Sequence, residues 1–142
     1  MNLTSAGLLV GGAGWLHFCQ IPAMLMAPKM LGWEEDLGKM APINRAIFRV
    51  ITLFIVFTVL GLGFIVGMSS AELVTGSRLG IGLTLFLSLF WAFRGFIQMK
   101  LYSKIWPSGL LGRLSHWGLT GLFGLLCLLY FLGFYHNVTL GR

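Results

Sequence analysis

Five side chains that a lipid bilayer penalises stand inside the apolar stretches of this chain: His17 and Gln20, Arg94 and Gln98, and His116. A polar or ionisable group at membrane depth costs free energy and is by default a functional candidate. Two imidazoles with guanidiniums nearby suit a b-type haem, to which facing helices would supply His17 and His116 as axial iron ligands while arginines neutralise the propionates. They also suit a quinone, whose carbonyls accept from His or Arg and whose tail an apolar bundle accommodates. The candidate cofactor site therefore comprises His17, His116, Arg94, Gln20 and Gln98, with Arg45 and Arg49 available at the same end for anionic groups. Trp15, Phe18, Met24, Trp91, Phe93 and Trp117 are the sequence neighbours fit to wall a macrocycle.

Composition dictates the elements that carry these residues. Of 142 residues, 57% are hydrophobic and 10% charged, which is too apolar for a soluble domain. Continuous apolar runs cover residues 3–26, 43–68, 79–101 and 110–134, each near the ~20 residues that cross a ~30 Å hydrocarbon core. The runs do not alternate, which excludes a closed barrel. The expected fold is an all-α membrane protein, a four-transmembrane-helix up-down bundle forming one integral membrane domain over residues 1–142, because short connections favour antiparallel neighbours. The first run lacks a basic start and a cleavage pattern, so it is expected to remain as a span.

Lys29, Lys39, Arg45, Arg49, Lys100, Lys104 and Arg113 flank the first and third connections, against Arg78 in the second connection and Arg142 in the tail. That bias places the first and third connections in the cytoplasm and both termini outside; the expected host is a bacterial inner membrane. The net charge of +6 is thus topological: its cations are split among short loops that face anionic lipid, and a nucleic-acid role is excluded.

Counting residues from the helix ends puts His17 near the midplane and Gln20 one turn deeper. Arg94 and Gln98 are spaced i, i+4, and His116 falls early in the fourth helix, so all five lie in one cytoplasmic-side layer. The first and fourth helices of an up-down bundle are neighbours, which brings His17 toward His116. Pro22 also deprives the Phe18 carbonyl of its helical donor. The bland alternative is that Arg94 snorkels, His116 sits at the interface beside Trp117, and His17 with Gln20 serves an interhelical hydrogen bond. His136, Tyr130 and Tyr135 are expected at the outer interface.

The connection over residues 27–44 has Pro28 and Pro42 near its ends, which discourage helix continuation, and an acidic tip of Glu34, Glu35 and Asp36. Consecutive carboxylates diverge, so the tip is expected to be solvated rather than metal-binding. Met30, Leu31, Trp33 and Leu37 would face lipid from a short amphipathic turn. Gly7 with Gly11, Gly63 with Gly67, and Gly118, Gly121 and Gly124 are spaced for close helix contact. Cys19 and Cys127 form no C-x-x-C pair and read as packing residues. The triplets Asn2-Leu-Thr and Asn137-Val-Thr have the glycosylation-acceptor form, which is common by chance.

The Leu16-His17 pair in the first helix, Pro28-Lys29 about three turns later and Arg45 with Arg49 at the start of the second helix resemble the small four-helix haem-b membrane proteins that act as protoporphyrinogen oxidases. The resemblance covers roughly the first half of the chain and implies a haem ligand at His17. Where that family has a functional lysine at the start of its third helix, this chain has Arg78, and Gln20-Ile-Pro-Ala-Met replaces its aromatic-rich signature after the histidine. The resulting expectation is a membrane-embedded redox protein binding haem b, or alternatively a quinone, that would act, if an enzyme, on a tetrapyrrole or quinone. An expectation of a different class is an accessory subunit of a larger respiratory, photosynthetic or transport complex, with other membrane subunits or further copies of itself as partners.

Overall fold

The computed structural model describes residues 2–141, and Arg142, with the orientation argument resting on it, lies outside the described residues. Asn2 caps the first helix, its side-chain oxygen accepting the Ser5 amide at 2.8 Å. Helix α1 (Leu3–Leu16) passes through a 3-10 turn, His17–Gln20, into α2 (Ile21–Met30). The turn has a local cause. Pro22 has no N–H for the Phe18 carbonyl, and the tightened winding gives that carbonyl to the Ile21 amide instead.

Helix α2 does not stop at Pro28 but carries it inside. In lipid a helix end leaves carbonyls that no water satisfies, so continuing past a proline costs less than ending there. Gly32, at φ 65°, then reverses the chain into α3 (Trp33–Lys39). Lys39 bonds Glu35 at 2.8 Å and Asp36 at 3.4 Å, and Arg49 approaches Glu34 at 3.5 Å. Hydrogen bonds to Glu35 and Asp36 hold the Lys39 ammonium above its ordinary pKa. The acidic tip is therefore an exposed set of ion pairs. Its apolar side is not all outward as the sequence suggests: Leu31 is exposed, but Leu37 is buried and Trp33 meets Phe48 edge-on at 5.2 Å. Burial there adds packing contacts that loose lipid chains supply less well.

Helices α4 (Pro42–Met68), α5 (Ser70–Leu73), α6 (Arg78–Lys100), a 3-10 turn over Tyr102–Lys104 and α7 (Leu110–Leu140) complete the order. The segments Leu3–Met30, Pro42–Met68, Arg78–Lys104 and Leu110–Leu140 are each long and apolar enough to cross a membrane, and the described residues contain no strand. The all-α four-span bundle expected from composition is the fold observed. The 3-10 turn and the continuation past Pro28 modify its first span, and α7 runs past residue 134.

Helix α7 packs on both α1 and α6, and α1 on both α7 and α4, while α4 and α6 make little direct contact. Small residues set the closest approach. A Cβ built on Gly14 would lie 2.5 Å from the Gly67 nitrogen and 2.8 Å from the Gly63 oxygen, and one on Gly133 would lie 2.5 Å from Val10. By contrast, Gly118, Gly121 and Gly124 face open space, contrary to the packing role their spacing suggests. Phe123, Leu126 and Tyr130 occupy the inward side of α7, and these glycines fall on its outer side. Helix α7 extends to Leu140 because its end is anchored: fully buried Asn137 donates to the Leu73 carbonyl at 2.8 Å and accepts from the Gly76 amide at 2.9 Å. That burial removes Asn137 as a glycan acceptor. Tyr130 and His136 are likewise buried within the protein, and Tyr135 alone of the three is exposed.

Candidate functional site

His17 sits in the 3-10 turn where α1, α4, α6 and α7 converge. Its Nδ1–H donates to the Val59 carbonyl at 2.9 Å, while Nε2 faces Trp91 Nε1 at 3.3 Å and the Tyr130 hydroxyl at 3.0 Å. The partners fix the tautomer, since a carbonyl can only accept and an indole N–H can only donate. Trp91 and Tyr130 therefore share one lone pair of a neutral imidazole, and both rings stand edge-on to it at 5.0 Å and 5.9 Å. Gly63 makes the approach possible, because a Cβ there would lie 2.6 Å from the His17 Cβ.

A second cluster lies at the end of α6. Arg94 donates to Gln98 Oε1 at 3.2 Å, and Gln98 Nε2 donates to His116 Nδ1 at 3.1 Å. The arginine fixes the amide orientation, because it has no acceptor. The Arg94 guanidinium also stands over the Phe123 ring at 4.7 Å and the Tyr102 ring at 5.2 Å, both within cation–π reach. Trp91 stacks on Phe123 at 5.3 Å, so the two clusters share one aromatic wall.

That wall bounds a cavity of about 620 Å³ in the space that α4 and α6 leave between them. Thr52, Ile55, Val56 and Val59 line it from α4, Phe90, Trp91 and Arg94 from α6, and Gln20, Met24, Ala27 and Met30 from the first span. Leu31, Trp33, Tyr102, Trp106 and Phe123 close it. Gln20 is 6% exposed and its Nε2 has no hydrogen-bond partner. The pocket thus has the size of a small-molecule site, apolar walls and two polar groups with capacity to spare. A second hollow of about 630 Å³ beside Gly7, Gly11, Trp15 and Ser70 is lined by small and apolar residues, with no unpartnered buried polar side chain.

The five intramembrane candidates are therefore divided rather than held in one layer. Gln20 and Arg94 line the cavity, Gln98 and His116 stand behind Arg94, and His17 is locked in the packed core. Arg45 donates to the Gly38 and Met40 carbonyls at 3.1 Å and 3.3 Å, and Arg49 pairs with Glu34, so both are engaged in ordering the first connection. Of the proposed wall residues, Met24 and Trp91 line the cavity, while Trp15, Phe93 and Trp117 are exposed. Cys19 is exposed and Cys127 half-buried beside Ser88.

These positions do not fit a haem held between His17 and His116. Both His17 ring nitrogens are engaged. His116 and Tyr130, the hydroxyl partner of His17, are separated along α7 by about 21 Å of helix rise, whereas two axial ligands must flank one iron. Among the described residues no group of three or more His, Cys, Asp or Glu converges.

Tyr130 is the partner that sequence spacing could have found. Phe123, Leu126, Tyr130, Gly133 and Asn137 recur every three or four residues, the stripe of a buried helix face. Trp106, Tyr102 and Trp33 had no such signal, since connections bring them to the cavity. Comparison with family models, curated proteins and solved structures gave no match for this chain.

Proposed function

We propose that the chain binds a membrane-soluble molecule of the quinone class in the cavity between α4 and α6. The observation that carries this reading is the presence of Gln20, whose Nε2 has no partner, and Arg94, which makes one hydrogen bond, in one hollow walled mainly by aromatic and aliphatic side chains. A quinone supplies acceptor carbonyls to those donors, a flat ring to the Trp91–Phe123 wall and an apolar tail to the aliphatic side. With the cation-rich connections in the cytoplasm, the ligand would enter from the cytoplasmic half of the bilayer.

The test is a titration of the purified protein in lipid nanodiscs with a short-tailed benzoquinone, read by tryptophan fluorescence. Trp91 and Trp106 line the cavity and should be quenched saturably. Arg94→Leu and Gln20→Leu should each weaken binding about tenfold, the worth of one hydrogen bond to a charged or buried donor. Non-saturable quenching, or saturable quenching indifferent to both substitutions, would remove the reading. A second measurement addresses haem. Protein made with haem supplied is expected to lack a low-spin Soret band, and a Soret band with sharp α and β bands on reduction that His17→Ala abolishes would overturn the quinone assignment.

A further inference from the structure

We infer that the head group this cavity selects carries a negative charge. The inference rests on the cavity reading above but not on the ligand being a quinone. The chain has only four acidic residues, and none lies on α6 or α7. Glu34 faces Arg49, Glu35 and Asp36 face Lys39, and Glu72 lies in α5, which adjoins the far end of α6. Among the described residues no carboxylate pairs with Arg94, and its sole hydrogen bond goes to a neutral amide.

A guanidinium facing apolar walls without a counter-ion carries a desolvation cost that the Phe123 and Tyr102 faces offset only in part. Gln20 adds a neutral group to the same wall, its buried Nε2 without an acceptor. Thr52 and Ser115, the hydroxyls of the α4 and α7 walls, spend their protons on the Phe48 and Gly112 carbonyls, and both are neutral, so neither supplies a counter-charge to Arg94. The lining thus holds one guanidinium and no carboxylate, and it bears net positive charge. Its complement is a negative head: an ionised oxygen on an apolar body.

Two sources offer that chemistry, an ionised hydroxyquinone and a fatty acid. Four probes separate them in nanodiscs: a hydroxynaphthoquinone ionised at neutral pH, its methyl ether, a long-chain fatty acid, and the matching alcohol. Affinity is read by tryptophan fluorescence and by ligand-induced thermal stabilisation. The ionised hydroxyquinone should bind about tenfold or more tightly than its ether. Arg94→Gln should abolish that preference, and Arg94→Lys, which keeps the charge, should retain most of it. A fatty acid that binds over its alcohol while neither quinone binds would uphold the anionic selectivity and sink the quinone class. Equal affinity within each pair would overturn the selectivity and leave the quinone reading standing. Absence of binding by all four probes would overturn both.

Discussion

Gly14→Leu is expected to separate α4 from α1 and to cost at least about 3 kcal/mol of bundle stability, beyond ordinary overpacking because the obstruction is backbone and cannot rotate away. Even a Cβ at this position meets the Gly67 nitrogen at 2.5 Å and the Gly63 oxygen at 2.8 Å. Since α4 rests mainly on α1, losing this contact frees one wall of the ligand cavity as well as one helix. An unfolding titration in mixed micelles reads the loss directly. Gly118→Ala is the control: its Cβ meets nothing within 4 Å, and helix propensity predicts a neutral or stabilising change of up to about 1 kcal/mol. Equal behaviour of the two variants would mean that the α1–α4 contact is not the close one.

The second large effect belongs to His17. Replacing it by alanine strips Val59, Trp91 and Tyr130 of a shared partner and leaves a void at the meeting point of four helices. The expected loss is about 3 kcal/mol, combining unpaired donors with cavity formation and discounting for the modest worth of polar contacts in membranes. Tyr130→Phe alone should cost about 1 kcal/mol, because Trp91 then holds the imidazole nitrogen unshared. In a double-mutant cycle the two losses should fall short of additive, since Tyr130 has nothing left to bond once His17 is gone. A fully additive cycle would show that the Tyr130–His17 bond contributes nothing.

Hydrophobic run length was enough to read the four spans, because the bilayer forces every backbone group into its own helix. It was also enough to single out Gln20, Arg94, Gln98, His17 and His116, because polar atoms at that depth need partners. What could not be read is which partner each would find. Residues 17 and 116 both look like free imidazoles in a linear sequence, yet one has both ring nitrogens engaged by α4, α6 and α7 and the other gives its Nδ1 to Gln98. Helix order places α1 beside α7, but it does not reveal that α4 leans on α1 and leaves α6 at a distance, and the cavity exists because of that lean. The glycines on α7 show the same limit. Spacing reports that a close approach is possible, and only the facing stripe of Phe123, Leu126 and Tyr130 tells which side is used.

The four-residue 3-10 turn between α1 and α2 has a consequence for how the first span divides its labour. Each residue there advances about 120° around the axis instead of about 100°, so α2 emerges overwound by about 80° and displaced some 2 Å along the axis relative to an unbroken α-helix. The first part of the span presents Val10, Ala13 and Gly14 to its packing partners, while the second presents Met24, Ala27 and Met30 to the cavity. The turn works as a phase shifter. Lengthening or shortening it by one residue would re-aim every side chain of α2 at once, whereas changing an α2 side chain alters the ligand wall without disturbing the helix contact that builds the bundle.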